Sequence, residues 1–162
     1  MANICCNTIT FSGDDLSPIR NLIQEIKEEN DGGYGWLPDG FNSNNAHCLF
    51  DVDVYDNGHE VRFDCWSKWS PPTEEILHMV KGTTISFSLL YDEMGMGMYG
   101  VTYYDSTTKT LSGTSLNDED FERVTYDEEA DEYLLDGEYI ESQSEGYYDI
   151  LMEKVNKQPL NN

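Results

Sequence analysis

The stretch Cys48–Pro72 reads CLFDVDVYDNGHEVRFDCWSKWSPP, and the turn at its centre decides the fold. Asn57-Gly58 is a strong hairpin signal, because both residues accept the positive φ of a type I′ turn. With the turn there, Val54 faces Val61, Val52 faces Phe63 and Phe50 faces Cys65. Asp51, Asp53, Glu60, Arg62 and Asp64 all go to the opposite face. Sliding the turn back to Asp56-Asn57 changes the partners and keeps the faces. A hairpin of this kind needs helices or further strands to cover its apolar side.

Both are found on either side of it. Residues 3–12 alternate, with Cys5, Asn7, Ile9 and Phe11 on one side and Cys6, Thr8 and Thr10 on the other, as a half-buried strand does. Ser17-Pro18 reads as a helix start, and Leu16, Ile19, Leu22, Ile23 and Ile26 form one apolar stripe running to about Glu29. Residues 32–45 read as a loop in which Tyr34, Trp36 and Phe41 anchor to the core. After the hairpin, Ser70 is placed to cap a short helix with Ile76, Leu77 and Val80 on its apolar side, stopped by Lys81-Gly82. A clean strand follows, Ile85, Phe87, Leu89 and Tyr91 inward, Thr84, Ser86 and Ser88 outward. The order β-α-β-β-α-β implies an α+β fold of ferredoxin-like type, an antiparallel sheet with its helices on one face. Iron–sulfur chemistry is not implied, because cysteines at cluster spacing are missing. We expect a core over 1–105 and an extension over 106–162, with further strands leading into an acidic segment packed on that core.

Charge is the unusual property. In 162 residues, 32 Asp and Glu stand against 9 Lys and Arg, a net charge of −23, while 38% apolar and 12% aromatic residues suffice for a real core. Such a chain repels phosphate backbones and anionic membrane, so direct nucleic-acid or membrane binding is disfavoured. No run is long and apolar enough to span a bilayer, and no signal peptide is present, so the cytoplasm is the expected location. Cys5, Cys6, Cys48 and Cys65 lack zinc-site spacing and read as reduced thiols, although one hairpin register sets Cys48 opposite Cys65. Between Asp118 and Asp149, fourteen carboxylates face one base, Arg123. Val124, Tyr126, Tyr133, Leu134, Leu135, Tyr139, Ile140, Tyr147 and Tyr148 are interleaved among them, so part of the segment should fold back on the domain. Gly137 suggests a tight turn, and Leu151, Met152 and Val155 a last short helix.

No catalytic motif emerges. Asp51, Asp53 and Asp64 would serve as an acid–base pair only if one of them were desolvated, which a solvated strand face does not do. The run from Asp51 to Arg62 departs from a calcium loop at its glycine and at its twelfth position. His47, His59 and His78 are scattered, and neither a nucleophile elbow nor a phosphate-binding loop is present. We therefore expect no metal and no cofactor. Met94, Met96 and Met98, alternating with glycines, read as a bulged or tightly packed strand. With Asp51, Asp53 and Asp64 they make a second candidate binding patch.

Two stretches also resemble a known family. MANICCNTITFSGD is similar to the opening strand, and FDCWSKWSPPTEEILHMVKGTTISFSLLYDEMGMGMYG to the second half, of the YubB-like ferredoxin-like domain family. The resemblance rests on Trp69 to Pro72, the helix after it, Tyr91 with Glu93, and Gly97 to Gly100, and spans roughly residues 1–105. It implies a protein of phages, plasmids or other mobile elements, and supplies no catalytic residues.

The expected function is therefore non-enzymatic. Carboxylates on a folded scaffold present a field like that of a nucleic-acid backbone, and tyrosines supply rigid contact area. The expected partner surface comprises Asp118, Glu119, Asp120, Glu122, Asp127, Glu128, Glu129, Asp131 and Glu132 with Tyr126 and Tyr133. Its expected partner is a basic, nucleic-acid-handling host protein, which it would bind and inhibit. Two alternatives stand beside it, a carboxylate-based hydrolase with or without a metal, and a structural domain with no charge-driven partner.

Overall fold

The computed structural model describes residues 4–29 and 50–157. The loop anchors Tyr34, Trp36 and Phe41, together with His47, Cys48 and the last five residues, lie outside them. Strand β1 (Ile4–Ser12) leads to helix α1 (Ser17–Glu29). The hairpin β2 (Phe50–Asp56) and β3 (Glu60–Lys68) leads to α2 (Thr73–Val80) and β4 (Ser86–Glu93). These strands lie in the order β2-β3-β1-β4, every neighbouring pair antiparallel. Each helix thus carries the chain over one intervening strand, the ferredoxin-like arrangement that the alternating patterns imply.

One face of this sheet is the main core. Ile9, Phe11, Val52, Val61, Phe63, Cys65, Phe87 and Leu89 point to it, and Ile19, Ile26, Ile76 and Val80 of the helices close over them. Phe11 packs edge-on against Phe63 and Phe87, at 5.2 and 6.5 Å between ring centres. Each such side chain taken from water stabilises the fold by roughly 1.5–3 kcal/mol. A buried polar group fixes the next connection. Asn7 donates to Ser67 Oγ at 2.9 Å, and Ser67 donates to Ser70 O at 2.8 Å. Ser70 therefore serves the approach to α2 and does not cap it, because the helix starts after Pro72 without a side-chain cap.

The hairpin keeps its expected faces and changes its register. Val54 stands opposite Phe63 and Asp56 opposite Val61, two residues from the two-residue-turn pairing. The loop is longer because side chains hold it open. Asp56 Oδ1 accepts from Gly58 N at 2.8 Å, and Asn57 Oδ1 accepts from His59 N and Glu60 N. A bulge also falls between Phe50 and Asp53, with Asp51 in the left-handed region (φ 55).

Two further strands, β5 (Met98–Asp105) and β6 (Thr110–Ser115), extend the same sheet beyond β4. The methionine run is not a bulged strand. Met94–Met96 is a single 3-10 turn joining β4 to β5, its nitrogen at Met96 donating to the buried Glu93 carboxylate. The acidic segment is folded as α3 (Asp118–Phe121), a small sheet of β7 (Val124–Asp127), β8 (Glu132–Leu135) and β9 (Glu138–Ile140), and α4 (Gln143–Lys157). Asp136-Gly137 turns β8 into β9 with both φ positive (53° and 89°), as a type I′ turn requires. Tyr99, Val101 and Leu116 meet Val124, Tyr147, Ile150 and Leu151 in a second core. Those residues of β5 alternate with the ones facing α1 and α2, so α4 covers the opposite face of the large sheet.

Gly100 marks where the two cores share a strand. A Cβ there would come within 2.4 Å of Tyr91 Oη and 2.8 Å of Thr114 O. Gly100→Ala should therefore overpack the sheet and destabilise it by about 2–3 kcal/mol, seen as a lower urea midpoint with an unchanged slope.

Candidate functional site

Two groups of carboxylates come together, and they differ in what their side chains already do. The first lies on the small sheet. Alternation places Val124, Tyr133, Leu135 and Ile140 toward α4, where they join the second core. Thr125, Asp127, Glu132 and Tyr139 point the other way, along with Glu141 beyond the strand end. Tyr139 is 60% and Tyr126 47% exposed, although the Tyr126 ring packs at a tilt against Tyr133, 5.0 Å between centres. Asp131, Glu132, Tyr133, Tyr139, Ile140 and Glu141 line an open hollow of about 380 Å³.

The eleven residues expected to form the partner surface sort into two kinds. Asp118, Glu119, Glu122, Glu128, Glu129 and Glu132 are exposed and form no ion pair among the described residues. Asp120 is committed to the fold, since it closes the capping box with Asn117 and pairs with Lys154 of α4. Asp127 Oδ1 accepts from Glu129 N at 2.9 Å and holds the β7–β8 turn. Asp131, left-handed at that turn, accepts from the Tyr126 hydroxyl. Tyr133 is half-buried against the core, so its area is largely spent within the chain. Arg123 clamps the module by donating to Asp136 and to Glu153, which holds its guanidinium well above the usual range, the Asp136 bond first.

The second group lies on the face of the large sheet that α4 leaves open. Asp51, Asp53, Asp64 and Asp92 line a cavity of about 310 Å³ with Cys6, Thr8, Trp66, Leu90 and Tyr99. Asp53 and Asp64 are direct cross-strand partners. Asp64 is not free, since it accepts from Thr8 Oγ1 and from Arg62 Nη2, each at 2.8 Å. Arg62 in turn lies 4.4 Å over the Tyr55 ring. The methionines expected in this patch do not join it. Met94 and Met96 stand exposed at the β4–β5 turn, and none of the three lines the cavity.

Asp92 is the residue that reading strand faces missed. Its Oδ1 is buried without a hydrogen-bond partner, and burial, helped by the charge of Glu93, raises its pKa. The same burial, with Asp92 second, pushes the Tyr99 hydroxyl up to about 12. Its signal was Leu90, an apolar residue on the supposedly outward phase of β4, which shows that this face is partly covered. Among the described residues no cluster of three or more His, Cys, Asp or Glu has metal-binding geometry. The thiols of Cys5 and Cys65 are buried and free, and burial pushes Cys5 up to about 11, so it stays protonated at neutral pH.

With both sites placed, comparison becomes informative. A model of the family described as a ferredoxin-like domain in Api92-like protein matches residues 49–136, more than half of the chain. The chain belongs to this family. The match starts at the central hairpin and runs through β8, so the family domain takes in the β7–β8 part of the acidic segment as well as the large sheet. No curated protein and no solved structure matches the chain. Among the described residues no helix is long and apolar enough to cross a membrane.

Asp92 yields a pH-dependent test. Its folded pKa lies above the ordinary value of 3.8, so the folded state is favoured below that value and loses this advantage as pH rises and Asp92 ionises. Asp92→Asn removes that loss. The gain in urea midpoint over the wild type should be largest near about pH 7 and should shrink toward about pH 3.

Proposed function

We propose that this protein is a non-enzymatic acidic binder that captures a basic surface on a nucleic-acid-handling protein and blocks it. The observation that carries this reading is the outward face of the β7–β9 sheet. There Glu132 and Glu141 stand exposed with the open ring of Tyr139, and Glu128 and Glu129 stand exposed in the β7–β8 turn, on a scaffold fixed by the Arg123 and Lys154 ion pairs. Carboxylates held on a rigid support do not spend side-chain and loop ordering when a partner arrives. A tyrosine among them offers a face to an incoming guanidinium or ammonium group. The hollow at Asp131, Glu132 and Glu141 has room for such a group.

The finer setting belongs to the same proposal. A phage or other mobile-element origin, which the YubB-like resemblance implies, fits a small acidic inhibitor of a host protein. The free thiols at Cys5, Cys6 and Cys65 support a reducing cytoplasm. One observation favours a carboxylate-based enzyme instead. Asp92, with its raised pKa, lines one cavity with Asp51, Asp53 and Asp64, and acid–base chemistry draws on carboxyls gathered in one cleft. The binder is the preferred reading because Asp64 is occupied by Arg62 and Thr8.

The test uses the full chain as bait in low salt, beside a variant carrying Glu128→Lys, Glu129→Lys and Glu132→Lys. Basic nucleic-acid-binding proteins should be retained by the wild type and lost by the variant. They should also elute as the Debye length falls from ~10 Å to ~3 Å between 0.1 and 1 M salt. Equal capture by both baits, or retention indifferent to salt, would defeat the proposal.

A further inference from the structure

The large acidic excess hides one place of opposite character. Arg20, Arg62, Arg123, Lys154 and Lys157 each bind a carboxylate. Lys81 and Lys109 are exposed and form no ion pair among the described residues. Both of these lysines line the same cavity, about 600 Å³ in volume, with His78, Leu77 and Tyr104. They come from separate parts of the chain, Lys81 from the end of α2 and Lys109 from the β5–β6 hairpin.

We propose that this cavity is a binding site for a small anion carried on an aromatic or apolar body, such as an aryl phosphate or carboxylate. Two lysines line one hollow and form no ion pair among the described residues, which is the arrangement an incoming anion completes. Leu77 and Tyr104 are partly buried apolar walls that would take the body of the ligand. The volume lies within the range of small-molecule sites, which combine apolar lining with a few placed polar groups. The hairpin carrying Lys109 is also held in place. Ser106 Oγ donates to Thr84 O at 2.9 Å, and Ser106 N donates to Ser86 Oγ at 3.0 Å. Asp105 Oδ1 accepts from Thr107 N at 2.7 Å and fixes the turn itself. Thr83 Oγ1 donates to Val80 O at 2.7 Å and fixes the loop that follows Lys81. The backbone that carries both lysines is therefore held before any ligand arrives, and among the described residues Glu74 is the one carboxylate on the wall. A second copy of the chain is a poor occupant, because a net charge of −23 on each copy opposes their approach.

The experiment follows backbone amide shifts of the full-length ¹⁵N-labelled chain during titration with phenyl phosphate, inorganic phosphate and benzyl alcohol. Phenyl phosphate should give saturable shifts around Lys81–Thr83 and Tyr104–Lys109. Inorganic phosphate should bind about tenfold more weakly, and benzyl alcohol should not saturate. Lys81→Gln and Lys109→Gln, both at exposed positions, should each weaken phenyl phosphate about fivefold, and Glu74→Gln should tighten it. The proposal is overturned if phenyl phosphate does not saturate, if its shifts fall elsewhere, or if the double lysine variant binds it unchanged. It is also overturned if sedimentation shows a wild-type dimer that the double variant dissociates, since the pocket would then hold another copy.

Discussion

Strand β1 has to satisfy two neighbours and two faces at once, and the rest of the molecule follows from how it does so. It pairs with β3 along its whole length and with β4 from Cys6 to Ser12. Cys5, Asn7, Ile9 and Phe11 go under the helices, while Cys6, Thr8 and Thr10 go to the other side. A central strand cannot slip by one residue without exchanging these two sets. The helix side is apolar enough to close by itself. The other side is polar along β1, so it could not bury an α1-like helix across the whole sheet. α4 and the small sheet cover it only where β5 offers Tyr99 and Val101 and the residue after β6 offers Leu116. The uncovered remainder is the cavity where Asp51, Asp53, Asp64 and Asp92 collect.

The same division explains how so acidic a chain stays folded. Like charges on a compact body repel, and here three of the few cations, Arg20, Arg123 and Lys154, join separate elements. Arg20 ties α1 to the hairpin end through Asp56, whose carboxyl is drawn down to about 2 by that bond and by the Gly58 N–H. Arg123 ties the β8–β9 turn to α4, and Lys154 ties α4 back to α3. Surface ion pairs contribute little singly, so cohesion of the C-terminal part rests first on Ile150, Leu151 and their neighbours. What the pairs decide is which carboxylates remain available to a partner.

That distinction marks the limit of what could be read from residues alone. Alternation in β1 and β4 and the helical stripe of α1 were legible because burial imposes the same period on sequence and structure. The small sheet was legible as folding back, from its tyrosines and Gly137. Register was not. Asp56 and Asn57 bind their own loop backbone and lengthen the turn, an outcome that competes on nearly equal terms with a two-residue type I′ turn. Met94–Met96 departs from the expected strand for a related reason, since the Glu93 side chain captures the Met96 N–H that a continuing strand would have paired. Within the candidate sites, the acids looked equivalent in sequence. Asp120 is distinguished from Glu119 by its capping box with Asn117 and by Lys154, thirty-four residues away, and Asp92 by what covers β4.

Net charge is thus a poor guide to any one place on this surface. Lys81 and Lys109 escape notice in the sequence because they stand 28 positions apart, on separate elements. In the fold, β5 runs from the 3-10 turn beside α3 to the hairpin that carries Lys109. Eight residues of strand span roughly 25 Å, about three Debye lengths at physiological salt. Across that distance the field of the exposed carboxylates on α3 is largely screened. The two ends of the β5–β6 hairpin can therefore select ligands of opposite sign, and a −23 chain is compatible with an anion site wherever two lysines keep no carboxylate of their own.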